Sequence, residues 1–200
     1  VQAVHCVTGD HPRARLGSAR PVRFALDSFQ LIALARSLGA PVSVAESPAA
    51  PPTRQRAERL AAKAHVGASL AILNHAGTVE RLTEFARACH RLAPDLALVA
   101  PVPVITDHRS ADALDRFPGL VLPPGLAERI LSSADPHAEG RAAAIELGCA
   151  LHDSGHFAGL NLSGPGTGAP LRERAALMAD IATSIRSTRQ RAPDPTGGVP

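Results

Sequence analysis

The feature that most constrains this chain is a repeated alternation between short apolar runs and longer stretches with helical periodicity. Strand-like runs fall at Val1–Thr8, Pro41–Ala45, Ser69–Leu73, Leu96–Val102 and Phe157–Leu162. Helical patterns separate them at Ser28–Leu38, Arg54–His65 and Val79–Leu92, followed by a more broken stretch from Ser110 to Ser154 and a last helix at Leu171–Ile185. Strand after helix after strand predicts right-handed crossover units and a parallel sheet. The runs are apolar nearly throughout rather than alternating, as strands covered on both faces should be. Asp27 or Ser28, Thr53, Thr78 and Asp135 before Pro136 stand where helix N-caps are expected.

Five such units suit a (β/α)8 barrel better than a doubly wound sheet. The turn after the first strand, Gly9-Asp10-His11-Pro12, lacks the Gly-rich dinucleotide pattern. A barrel needs eight strands, and five alone would expose two apolar edges. The chain is therefore expected to be the C-terminal part of a longer one, covering about strands 4 to 8. Residues 1–186 would form this α/β barrel portion, and 187–200, rich in Pro and Gly, a disordered tail.

Composition narrows the function classes. An apolar share of 45% and the lack of a membrane-length apolar run fit a globular, cytoplasmic chain. Cys6, Cys89 and Cys149 are scattered and odd in number, against a disulfide framework or a zinc site. The net charge of +3 is spread along helices, and Trp and Tyr are absent, so no nucleic-acid surface is expected. Lys63 is the sole lysine of an Arg-rich chain, a mild sign that an ammonium is needed there.

Polar residues collect where the strands end: Asp10-His11, Glu46-Ser47, Asn74-His75, Asp107-His108 and Asn161 to Gly164. In parallel β/α folds that rim carries chemistry. Any single one of these residues is as readily a cap or turn residue; together they favour a site. Two chemistries remain open on the residues alone. Asp10, His11, His75, Asp107 and His108 could bind a metal for hydrolysis, although each ligand would come from a different loop. Alternatively, the carboxylates and amides could hydrogen-bond the ring nitrogens of a planar heterocycle.

The collinear order of these segments resembles the second half of methylenetetrahydrofolate reductases, over most of residues 1–165. Val4–Pro12 is similar to that family's fourth strand with its Gly-Asp-x-Pro loop. The helix carrying Lys63, with Gly67-Ala68, looks like the lead into the sixth strand. Ala68–His75, Leu98–Thr106, Leu120–Ile130 and Ala134–Gly164 follow as the later segments.

The resemblance implies reduction of 5,10-methylenetetrahydrofolate to 5-methyltetrahydrofolate by hydride from NAD(P)H, with or without FAD. It places Asp10 beside the flavin pyrimidine as the catalytic residue, and Asn74 where an amide meets the pterin. Asp107 and Asn161 would join Asn74 in holding the substrate. Lys63, near the flavin phosphates, would bind the cofactor with Glu46 and His11. No metal is implied, and the family's acid, a glutamate on the first strand, lies outside this chain. The family's Tyr-Pro-Glu-x-His-Pro segment reads Ala45-Glu46-Ser47-Pro48 here. Such changes fall on flavin-associated positions, so weak or absent flavin binding is expected. The alternatives are a metal-dependent barrel hydrolase and a folate-binding remnant without catalysis.

Overall fold

The computed structural model describes residues 2–7, 25–117, 119–164 and 169–191. Five parallel strands form one sheet in the order β1-β2-β3-β4-β5: Val4–Cys6, Val42–Glu46, Ala68–Leu73, Ala97–Pro103 and Gly159–Ser163. Helices fill the connections: α1 Ser28–Ser37, α2 Arg56–Val66, α3 Val79–Leu92, α4 His108–Asp115, α5 Leu126–Leu131 and α6 Pro136–Asp153, with α7 Leu171–Arg191 after the last strand.

The sheet is thus an α/β arrangement in which every strand neighbours its sequence predecessor. A doubly wound sheet reverses its strand order at a switch point; this one does not. Successive right-handed crossovers in one direction place the helices on a single face. That order is shared by five consecutive strands of a (β/α)8 barrel, with which the fold is compatible.

The core lies between that sheet face and the helices. Val42, Val44, Ala71, Leu73, Leu98 and Ala100 pack with Ile32, Leu60, Leu82, Ala86, Ile181 and Ile185. A second, smaller core gathers Ile105, Leu114, Leu126, Ile130 and Ala143 beyond the end of β4. The intervening strand residues Ser43, Ala45, Leu70, Ile72 and Val99 are only half-buried. Among the described residues, then, coverage of both sheet faces is not seen. The strands nevertheless read as apolar throughout, because Leu70, Ile72 and Val99 sit on the less covered face.

Local signals explain most helix starts. Asp27 and Gln30 form a reciprocal capping box on α1, with Asp27 Oδ1 accepting from Gln30 N at 2.8 Å. Thr78 Oγ1 accepts from Arg81 N to open α3, and Asp135 Oδ1 accepts from His137 N and Ala138 N ahead of Pro136. Thr53 departs from expectation. It starts a single 3-10 turn, Thr53–Gln55, and makes no side-chain cap. The broken pattern from Ser110 onward resolves into short α4 and α5 and long α6. Helix α7 runs to Arg191, into the segment expected to be a tail from 187 onward.

Pro101 and Pro103 fit within a central strand for a geometric reason. The ladder of β3 reaches β4 only at Ala97, Leu98 and Val99, so both prolines lie beyond it and face β5 pairing alone. None of the described helices is long and apolar enough to cross a membrane.

Candidate functional site

The carboxyl ends of β2 to β5 carry a polar rim built in three adjoining parts. The first centres on Glu46, the last residue of β2. Its carboxylate is buried, with Oε2 accepting from Lys63 Nζ at 3.0 Å and Oε1 from Arg56 Nη1 at 3.1 Å. Oε1 also accepts from Ser47 N at 3.1 Å. Lys63 is itself buried and donates to Ala45 O at 2.9 Å. Arg56 continues outward, donating through Nε to Ala50 O at 2.7 Å and through Nη2 to Pro51 O at 2.5 Å. Two cations therefore clamp one carboxylate and tie the loop after β2 to helix α2. Burial, then the nearby Glu46 charge, pushes the Cys89 thiol up to about 12, so this buried sulfur stays protonated and inert.

Lys63 and Glu46, both expected to bind a cofactor, are paired with each other here. Their charged atoms face each other inside the fold, so Lys63 has no exposed ammonium to offer a phosphate. Pairing is what makes burial of either charge tolerable.

The second part joins Glu46 to Asn74. Asn74 N donates to Glu46 O at 2.8 Å, continuing the β2–β3 ladder past the strand end. Its side-chain Nδ2 donates to Ser47 Oγ at 2.7 Å. With Nδ2 so engaged, Oδ1 is the atom of Asn74 left to meet a donor. Asn74 is half-buried.

The third part pairs His75 with Ser163 across β4, at 2.6 Å between Nε2 and Oγ. Ser163 Oγ also donates toward Val102 O at 3.4 Å, which leaves it to accept from His75. A serine that accepts from its histidine is not being deprotonated by it, so the pair is poorly arranged as a nucleophile and base. Burial lowers the His75 pKa from 6.5 to about 4, keeping the imidazole neutral.

That shift has a consequence for stability. Below pH 6.5 the unfolded chain takes up a proton at this position that the folded chain refuses until about pH 4. Stability should therefore fall as pH drops through that window, by up to about 3 kcal/mol. Urea titrations of the native protein and His75→Gln at pH 7, 6 and 5 check it. The native protein should lose stability more steeply, and equal slopes would remove His75 as the cause.

The remaining expected residues are dispersed. Asp107 caps α4, accepting from Ser110 N through Oδ1 at 2.7 Å, and it borders a cavity beyond the end of β4. His108 is exposed. Asn161 stands on β5 opposite Pro101 with its side chain exposed. Asp10 and His11 lie outside the described residues. Among the described residues, no group of three or more His, Cys, Asp or Glu side chains is placed to hold a metal ion. Sequence reading missed Arg174 and His137, which line that same cavity. Both lie in first helical turns, where polar residues are ordinary.

No family model matches the chain, and no curated protein does. Among solved structures, it is similar to an uncharacterized protein from Clostridium thermocellum that binds two copies of 5-methyl-5,6,7,8-tetrahydrofolic acid. The TM-score is 0.62 at 13% sequence identity, over 92% of this chain and 71% of that one. At such identity the likeness establishes the α/β fold.

Proposed function

We propose that this chain binds a reduced folate at the carboxyl ends of its strands, with the pterin directed at Asn74. The observation that carries this is the fold match to a protein that binds 5-methyl-5,6,7,8-tetrahydrofolic acid. It meets the motif order described above on the same ligand class. Asn74 supplies the chemistry: its Oδ1 can accept from the N–H and amino donors of a pterin edge, while Ser47 fixes the amide plane. Its rim position at the end of a central strand suits a heterocycle entering from that side.

The finer reading is a reductase. Hydride from NAD(P)H would reach the methylene carbon of 5,10-methylenetetrahydrofolate, the bond from that carbon to N10 would break, and N10 would take a proton. This chain's part would be to bind and orient the pterin through Asn74, with Asn161 and Asp107 further along the rim. The catalytic role proposed for Asp10 goes with it. Flavin fits poorly. Lys63, the cation at the expected phosphate position, is engaged by Glu46. The same feature favours a second reading, a folate binder without turnover.

Calorimetric titration of the purified protein with 5-methyltetrahydrofolate, with no flavin added, tests the proposal. Saturable binding is expected, weakened roughly tenfold in Asn74→Ala through loss of one recognition hydrogen bond. Absence of binding to the native protein sinks the folate reading. Oxidation of NAD(P)H on adding 5,10-methylenetetrahydrofolate to the same sample would select the reductase, and binding without oxidation the turnover-free binder.

A further inference from the structure

Beyond the end of β4 lies a cavity of about 160 Å³ between the strand ends and the first turns of α7. Val104, Leu177 and Met178 give it an apolar wall, and Thr106, His137 and Arg174 line its polar side. Arg174 is half-buried, and its Nε is sealed from solvent with no hydrogen-bond acceptor among the described residues. Nε itself is closed to a ligand, so what Arg174 offers the cavity it lines is the positive charge of its guanidinium.

We infer that this cavity is a carboxylate subsite, taking an acid group on a short aliphatic stem with Arg174 as its anchor. The guanidinium fork matches the two oxygens of a carboxylate. The apolar wall suits methylenes. Asp107 and Glu173 also border the cavity, and their negative charge disfavours a doubly charged phosphate more than a singly charged carboxylate. The cavity adjoins the rim through Gly164, which follows Ser163. It therefore fits either a free dicarboxylate or the acid end of a larger ligand seated on the rim. The subsite stands on its own geometry; only its use by a folate's glutamyl end rests on the folate reading.

Met178 is the sole methionine of the chain, so methyl-labelled methionine gives one reporter resonance inside the cavity. Glutarate is the probe. It should shift the Met178 methyl saturably, and Arg174→Gln should weaken that response roughly tenfold or more, the loss expected for a charge-assisted pair. Arg174→Lys, which keeps the charge without the fork, should lie between. Thermal melting of the variants, expected to stay close to the native protein because Arg174 Nε has no acceptor among the described residues, separates lost binding from lost folding.

A second titration compares 5-methyltetrahydrofolate with 6-methyltetrahydropterin, which lacks the glutamyl end. A preference for the former that vanishes in Arg174→Gln assigns the subsite to that ligand's acid end. A glutarate response without such a preference assigns it to a free dicarboxylate. If glutarate leaves Met178 unmoved and Arg174→Gln changes neither ligand's affinity, the subsite is refuted even where folate binding holds. A Met178 shift that persists undiminished in Arg174→Gln overturns it as well.

Discussion

Replacing Glu46 with Gln should cost about 3–5 kcal/mol of folding stability, the range for removing one partner of a buried ion pair. The size comes from what is left behind. Gln is nearly isosteric, so packing around β2 is preserved, but Lys63 keeps a buried charge facing a neutral amide. Lys63 Nζ retains only Ala45 O as an acceptor of full strength. Arg56 suffers less, since its side chain is partly open to solvent and holds two backbone carbonyls. Urea denaturation of Glu46→Gln measures the loss. A change below about 1 kcal/mol would mean that Lys63 reaches water, as surface pairs do.

The double variant Glu46→Leu with Lys63→Met sharpens the argument. Removing both charges together leaves only Arg56 without its carboxylate, and that side chain is partly open to solvent and holds two backbone carbonyls, so much of the lost stability should return. Folate affinity need not follow. Ser47 N donates to Glu46 Oε1, and Ser47 Oγ in turn accepts from the Asn74 amide. The doubly apolar variant should therefore fold well yet bind less tightly than the native chain. Stability and recognition separate at this point of the structure.

How far the sequence could reveal this is itself physical. The strands and long helices were legible because each is a continuous apolar run or a 3.6-residue stripe, and Asp27, Thr78 and Asp135 are caps whose partners lie within three residues. Thr53 misleads because an additional 3-10 turn intervenes before α2. Glu46 and Lys63 stood out singly, one at a strand end and one as the lone lysine. Their pairing did not, because a sequence separation of 17 closes only when α2 packs on the sheet. An ammonium that looks free for a ligand in sequence is internally neutralised in three dimensions. Arg174 was hidden for the opposite reason. It reads as a solvated charge in the first turn of α7, and its burial at Nε is a property of the folded chain alone.

Gly140→Ala sets two such levels against each other, and the expected outcome is a loss of about 3 kcal/mol, at the upper end for an overpacked core. Helix propensity alone predicts the reverse sign, since Ala is preferred to Gly inside a helix by about 1 kcal/mol. Gly140 lies in the first half of α6 and is buried. A Cβ there would stand 1.7 Å from Ile105 O, a backbone atom that cannot rotate away. Either α6 or the segment after β4 must shift. That segment carries Ile105, which is wholly buried in the second core, and leads into the Asp107 cap. Gly148→Ala, two turns further along the same helix, provides the control. Its added methyl would meet Ile185 Cδ1 at 2.4 Å, the far end of a flexible side chain. There the propensity gain and the repacking cost are similar, so the net change should stay within about 1 kcal/mol. Equilibrium unfolding of both variants decides between the levels. A Gly140→Ala protein as stable as the native chain would place α6 farther from Ile105 than described. A large loss there with little at Gly148 would identify this helix–backbone contact as what sets the spacing between α6 and the segment after β4.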